Sequence, residues 1–152
     1  MSYTTYKVRI HQDGMKEWFV DEKRHRIDGP AVEDSDGSKY WFVDNKLHRI
    51  DGPAVEHANG SKEWFVDGKY HRIDGPAVED SDGHKDWYVD GERHRIDGPA
   101  IEGSDGTKHW YIDGKRYSQV DFEAKVKTLA ADPCDGKVVE IDGKKYRLSS
   151  IA

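Results

Sequence analysis

Apolar positions along this chain come in short alternating runs, each closed by Gly, Asn or Asp. Lys39–Asp44 (KYWFVD) is rich in aromatic and β-branched residues and predicts a strand. Asp36-Gly37 precedes it and Asp44-Asn45 follows it, with Asp67-Gly68, Asp90-Gly91 and Asp113-Gly114 at the second turn further along. Such pairs tolerate the positive φ of type I′ turns, so both ends of the strand are expected to be hairpin turns. The return strand is Leu47–Glu56 (LHRIDGPAVE). Its Asp51-Gly52-Pro53 centre cannot sustain a ladder, because Pro has no N–H, and a bulge or kink is expected there. Alternation places Trp41 and Val43 on one face and Tyr40 and Phe42 on the other. Both faces are apolar, so the sheet must curl, be covered or present an aromatic face to a partner. Kinks repeated along the chain favour curling.

The unit recurs at a fixed step. HRIDGPAVE occurs at His25–Glu33, His48–Glu56 and His71–Glu79, and returns as HRIDGPAIE at His94–Glu102. Trp18, Trp41, Trp64, Trp87 and Trp110 are each 23 residues apart, and Asp21 to Asp113 follow the same step. A fixed period of this length means one supersecondary unit stacked on copies of itself. The expected fold is all-β: an elongated antiparallel meander of about five stacked hairpins over residues 1–117, with Thr5–His11 supplying the first, incomplete hairpin.

Composition supports a thin architecture. The 152 residues are 35% hydrophobic and 36% charged, too polar for a thick core, yet the aromatics are too regular for a disordered chain. A net charge of −6 argues against duplex nucleic acid, which selects a basic face. The single cysteine, Cys134, excludes an intrachain disulfide and points to a reducing compartment. The start MSYTTYKVRI lacks a signal-like apolar stretch, and no apolar run approaches a membrane span. A soluble cytoplasmic protein is therefore expected.

The string W-[FY]-V-D-G-K-x-H-R-x-D-G-P-A-V-x-x-x-D-G-x-K-x-W resembles the MORN repeat over roughly Val8 to Tyr117. Arg49–Pro53 and its copies replace that repeat's glycine-rich H-G-x-G part. The H-R-x-D-G-P-A version is similar to repeats encoded by tailed bacteriophages and large viruses. The resemblance implies an elongated sheet of hairpins that serves as a binding or assembly platform, and a cytoplasmic setting in the host cell if phage-encoded. The membrane role attached to the family's name finds no basic or apolar lipid-facing segment here.

After Tyr117 the pattern changes, and residues 118–152 are expected to form a cap of helix plus hairpin. Ser118 with Asp121 resembles a capping box opening the helix SQVDFEAKVKTLAA. Phe122, Val126, Leu129 and Ala130 share one helical face, and Asp132-Pro133 ends the helix. Lys137–Ile141 and Lys144–Leu148 flank Asp142-Gly143 as a final hairpin. The cap covers the last sheet edge or, alternatively, dimerises the protein through its helix.

Candidate chemistry is set against this repetition. Each unit adds two strands, so equivalent histidines lie about 10 Å apart and cannot share a metal in a flat sheet. Neither a metal nor a cofactor is expected. The serines at 35, 38, 61 and 81 sit near turns without a glycine elbow. An active site is usually unique, whereas here the same His or Asp returns in every unit, so an enzyme is not expected. His25, His48, His71 and His94 are expected to hydrogen-bond across the kink, and Arg26 to pair with Asp28. Two binding surfaces remain. Rows of Arg26, Arg49, Arg72 and Arg95 beside Trp41, Trp64 and Trp87 could hold a small nucleotide, since Arg grips phosphate and aromatics stack on bases. Unit-specific positions instead suit a protein partner: 86 is Asp where its equivalents are Tyr40, Glu63 and His109, and 84 is His where others are Ser38, Ser61 and Thr107. The acidic set Asp80, Asp82, Asp86, Asp90 and Glu92 is the most distinctive such patch. The expected function is non-enzymatic binding of a host protein, with counter-defence as an instance; a nucleotide sponge and a structural or assembly role are the alternatives.

Overall fold

The computed structural model describes residues 5–131, 138–141 and 144–147. Cys134, the helix stop at Asp132-Pro133, Lys137, the turn Asp142-Gly143 and Leu148 lie outside them. Two compact units divide at Arg116/Tyr117.

The first unit is a long antiparallel meander of repeated hairpins. Lys7–Ile10 pairs with Lys16–Val20, and short strands then alternate in sequence order to Lys108–Ile112. Each 23-residue repeat contributes two strands: Lys39–Tyr40 pairs on one side with Val32–Glu33 and on the other with Val55–Glu56. The pattern repeats at Lys62–Glu63 and Lys85–Asp86.

Both turn types follow from where positive φ is affordable. Asp44 and Asn45 have φ of 49° and 64°, and Asp67-Gly68, Asp90-Gly91 and Asp113-Gly114 likewise have positive φ at both residues. That is the type I′ geometry expected. The turn at the other end of the strand differs. Of Asp36 and Gly37, only Gly37 has positive φ. The Asp34 N–H donates to the Ser38 carbonyl and the Gly37 N–H to the Asp34 carbonyl, which is a three-residue loop with a glycine bulge. The Ser38 N–H also donates to Asp36 Oδ1 at 2.7 Å. That bond holds the Asp36 carboxyl below its usual range.

The long strand breaks at its tryptophan. Lys39–Tyr40 belongs to the long sheet, whereas Phe42–Val43 pairs only with Lys46–Leu47 as a separate two-stranded ladder. Trp41 joins them: its N–H donates to the Ala54 carbonyl, and its own carbonyl accepts from His48 N–H. The return strand is broken more deeply than a bulge. Between Leu47 and Val55 the chain leaves both ladders as a loop, His48–Ala54. Each small hairpin and the start of its loop are stitched to the next hairpin by two backbone bonds, as from Gly68 N–H to the Leu47 carbonyl and from Arg49 N–H to the Phe65 carbonyl.

The core is a thin line. Ala31, Ala54, Ala77 and Ala100 are 0% exposed, each closing a loop against the sheet, with Val32, Val55, Phe65 and Ile101 buried beside them. A methyl group is all that fits where the loop re-enters beside Trp. Tyr40, Trp41, Leu47 and Tyr70 pack against the Ala54–Val55–Phe65 cluster.

In the second unit, Gln119–Ala131 is helical. Ser118 caps it: the Asp121 N–H donates to Ser118 Oγ at 3.1 Å, and that hydroxyl donates to Asp121 Oδ2 at 2.6 Å. Of the expected apolar face, Phe122 is buried and Val126 half-buried, while Leu129 is exposed, as is Val120. Val138–Ile141 and Lys144–Arg147 pair as the final hairpin.

Candidate functional site: a row of grooves between Arg-Ile-Asp-Gly-Pro loops

The loop is a small self-contained structure whose residue types follow from one arginine. Arg49 folds back over its own loop: Nε donates to Asp51 Oδ1 at 2.9 Å, and Nη1 to the Pro53 carbonyl and to Glu56 Oε1, both at 3.2 Å. One guanidinium face lies 4.2 Å from the Trp41 ring centroid. Gly52 leaves room for the guanidinium, since a Cβ there would lie 3.0 Å from Arg49 Cζ. Arg26, Arg72 and Arg95 repeat the arrangement against Trp18, Trp64 and Trp87. The Arg49 hydrogen bond holds the Asp51 carboxyl below its usual range, and Asp74 and Asp97 are lowered in the same way.

The candidate arginines and tryptophans therefore do come together, but in pairs that build the loop. Each guanidinium is already engaged by an aspartate, a carbonyl, a glutamate and an indole. A phosphate would have to displace two carboxylates to take the same fork. The expected Arg26–Asp28 pair is present at 3.0 Å.

The histidines bridge units and do not span the kink. His25, His48, His71 and His94 place Nδ1 2.7–3.1 Å from Oδ1 of Asp44, Asp67, Asp90 and Asp113, each on the next hairpin turn. The backbone N–H of Asp67 also points at His48 Nδ1, at 3.2 Å. A neutral ring accepts from that N–H, and a protonated ring donates to the carboxylate. Among the described residues no group of three His, Cys, Asp or Glu is arranged to hold a metal ion.

The unit-specific strand position turns inward. Glu17 and Asp86 are buried, at 2% and 7% exposure. Each pairs with the residue seven further on: Glu17 with Arg24 at 2.7 Å, Glu63 with Tyr70 at 2.6 Å, Asp86 with Arg93 at 3.2 Å, and His109 with Arg116 at 3.0 Å. The apolar version is Tyr40 with Leu47, both packed on the core. Burial alone would push the Glu17 carboxyl up, but hydrogen bonds from His11 and Arg24 outweigh it and its pKa is lowered. Burial and the Glu63 carboxylate push the Tyr70 phenol well up. The Asp86 rung is the least satisfied: Asp86 Oδ1 and Arg93 Nε are buried without hydrogen bonds. Much of the variation along the strand is thus internal complementation. Ser38 and Ser61 likewise lace units together, accepting from the N–H groups of Ala58 and Ser81.

The acidic set does not converge. Asp80 and Asp82 lie on the turn before Lys85–Asp86, Asp90 on the turn after Tyr88–Val89, and Glu92 at the start of the strand that follows it. Five strand residues separate these turns, about 17 Å. Asp86, between them, is buried against Arg93.

Sequence reasoning missed the isoleucine at each loop tip. Ile27, Ile50, Ile73 and Ile96 are 74%, 86%, 85% and 52% exposed. Consecutive loops wall three grooves. In the middle one Ile50 and Ile73 face across Trp64 and Val66, with Asp51 and Asp74 at the rim. Ile27 and Ile50 wall the groove over Trp41 and Val43, and Ile73 and Ile96 the one over Trp87 and Val89. The available signal was an apolar residue repeated inside a turn-forming Arg-Ile-Asp-Gly-Pro stretch, where local structure does not need one. No protein-family model matches the chain, and no curated protein resembles it at a significant level. Among the described residues no helix is long and apolar enough to cross a membrane.

Proposed function

We propose that this chain is a non-enzymatic binding protein that grips a protein partner along the row of isoleucine-tipped loops. The observation that carries the reading is the exposure of Ile27, Ile50, Ile73 and Ile96 in one repeating row, with neighbours sharing grooves. Isolated exposed apolar residues are ordinary, but a contiguous apolar strip edged by charge is a feature of interaction surfaces. The loop holds its shape through Arg, Asp, Gly and Pro, so the Ile contributes nothing evident to folding. Two further points favour binding over catalysis: the repeated His and Asp residues are committed to contacts between units, and the repeated Arg to its own loop. The resemblance to phage-encoded repeats supplies the context of an accessory protein acting on a host protein, including a defence protein. The nucleotide alternative has less support, because the grooves are rimmed by carboxylates and the guanidinium groups are engaged. An assembly role would use the same surface.

The test is affinity capture from bacterial lysate with the full-length protein and with a variant carrying Ile→Ser at 27, 50, 73 and 96. A protein retained by the wild type, lost with the variant, and shown with purified components to bind directly supports the reading. Equal retention by both proteins, or a melting midpoint raised by a nucleotide and not by any protein, overturns it.

A further inference from the structure

Resting on that reading, we infer that the partner segment is an extended polypeptide in polyproline-II-like conformation, apolar at every third residue and cationic between. The argument is one of spacing and charge. Each repeat adds two strands to the long sheet, so equivalent grooves recur every ~10 Å. A polyproline II helix has three residues per turn and rises 3.1 Å per residue, so its i and i+3 side chains point the same way about 9 Å apart. One apolar side chain, at i, i+3 and i+6, can then enter each of the three grooves along a segment of about seven residues.

Other conformations fit less well. A β-strand alternates faces, so i and i+3 point in opposite directions, and same-face neighbours recur at about 7 or 13 Å. An α-helix matches the step only at i and i+7, about 10.5 Å. It is also a straight rod 10–12 Å across, on a row whose strands each rotate by roughly 20° relative to the last.

The rim sets the charge. Asp28, Asp51, Asp74 and Asp97 stand beside the isoleucines with side chains 71–85% exposed, each lending one oxygen to its own arginine. The whole chain carries −6. Cations between the apolar anchors would meet this carboxylate row, and an acidic segment would be repelled.

The grooves also predict an unequal hierarchy among the isoleucines. Ile50 and Ile73 each wall two grooves, whereas Ile27 and Ile96 each wall one. All four are exposed, so Ser at any of them leaves the fold intact.

The experiment measures fluorescence anisotropy of labelled synthetic peptides against the full chain. The probe is (Leu-Pro-Lys)₄. The comparison peptides are the same composition with leucines at irregular spacing, an amphipathic helix with leucines every seventh residue, and (Leu-Pro-Glu)₄. The expected result is binding of (Leu-Pro-Lys)₄ about tenfold tighter than its irregular permutation, weakening with salt and absent for the Glu peptide. Ile50→Ser or Ile73→Ser should weaken it about tenfold, and Ile27→Ser or Ile96→Ser about threefold. Equal binding of the permuted peptide, tighter binding of the helical one, or no binding by any peptide overturns the inference. If the lysate partner is lost with the four-isoleucine variant and (Leu-Pro-Lys)₄ still fails to bind, the surface reading stands and only the occupant is wrong.

Discussion

Gly75→Ala gives a test in which the sign of the effect decides. Gly75 does not have the left-handed φ that would exclude Ala, and alanine at a compatible glycine ordinarily stabilises by about 0.4–1 kcal/mol through the unfolded chain. Here the new methyl would lie 2.9 Å from Arg72 Cζ and 3.1 Å from Nε. A guanidinium is a mobile end group, so it would swing away, and the effect would be the loss of what it holds. It lies 3.9 Å from the Trp64 centroid, a contact of about 0.5–1 kcal/mol. It donates to the Pro76 carbonyl at 3.2 Å, about 1 kcal/mol for a hydrogen bond. The Glu79 pair is partly exposed and adds a few tenths at most, roughly. The loss is about 2 kcal/mol, and after the unfolded-state gain Gly75→Ala should destabilise by about 1 kcal/mol.

The assay is urea denaturation followed by tryptophan fluorescence, run on wild type, Gly75→Ala, Arg72→Ala and the double variant. With Arg72 already removed, the three atoms nearest the methyl are gone and the same glycine substitution should stabilise. That reversal between backgrounds is the signature of direct contact. If Gly75→Ala stabilises the wild-type background, the guanidinium does not sit against the loop, and the account of Arg-Ile-Asp-Gly-Pro as a folded unit fails.

Three other outcomes are expected. Arg93→Leu leaves the buried Asp86 carboxylate without its cation and should cost about 2 kcal/mol, while adding Asp86→Tyr recreates the Tyr40–Leu47 rung and recovers most of it; a double variant no better than the single refutes the pairing, read by the same urea curves. Glu22 sits at φ 61° where later repeats place Asn45 or Gly, so Glu22→Gly should raise the melting midpoint by about 2 °C in calorimetry, despite losing the exposed Lys7 pair; a lower midpoint counts against strain there. Asp51, Asp74, Asp97 and Glu17 have lowered folded-state values, so the stability they contribute is full above the ordinary carboxylate range and lost as pH falls through the folded values; urea midpoints should hold to about pH 5 and fall below it, less steeply in Asp74→Asn, and a fall that begins above about pH 6 excludes these groups as its cause.

The hairpin meander is legible in the sequence because its signals are local. Asp67-Gly68 and its copies name a turn of two positive-φ residues, the aromatic runs name strands, and the 23-residue step keeps both in register. Less legible is anything that depends on where a side chain folds back. Pro53 announces that the ladder fails, but a bulge and a seven-residue excursion, His48–Ala54, carry the same announcement. The difference is made by Arg49 reaching its own Pro53 carbonyl, a contact between residues that look independent in the string. The strand break at Trp41 is hidden for a related reason: KYWFVD has strand propensity throughout, and only the loop's re-entry at Ala54 draws off the Trp41 N–H. Position 86 misleads in the opposite way. A carboxylate among varied residues reads as surface, yet the residue seven further on varies with it, and that covariation among Glu17–Arg24, Glu63–Tyr70 and Asp86–Arg93 is visible in one chain once the repeats are aligned.

That covariation separates two kinds of variation in a repeat protein. At the inner rung, replacing Arg24 or Arg93 leaves the buried Glu17 or Asp86 carboxylate without that partner, so a change there calls for a compensating change seven residues earlier. Such changes are silent toward a partner. The loop tip is the reverse case. Ile27, Ile50, Ile73 and Ile96 touch solvent for most of their surface, so an apolar side chain there adds little to the fold. Folding therefore does not account for four identical apolar residues at the one place where water makes them unfavourable. A surface that meets the same chemistry at each step does account for it. The neighbouring aspartates are half committed, with one oxygen on the arginine and the carboxylate still exposed. Scaffold and surface thus lie one residue apart within Arg-Ile-Asp, and the two substitutions Arg72→Ala and Ile73→Ser should separate them: the first lowers stability, and the second leaves stability unchanged while weakening binding.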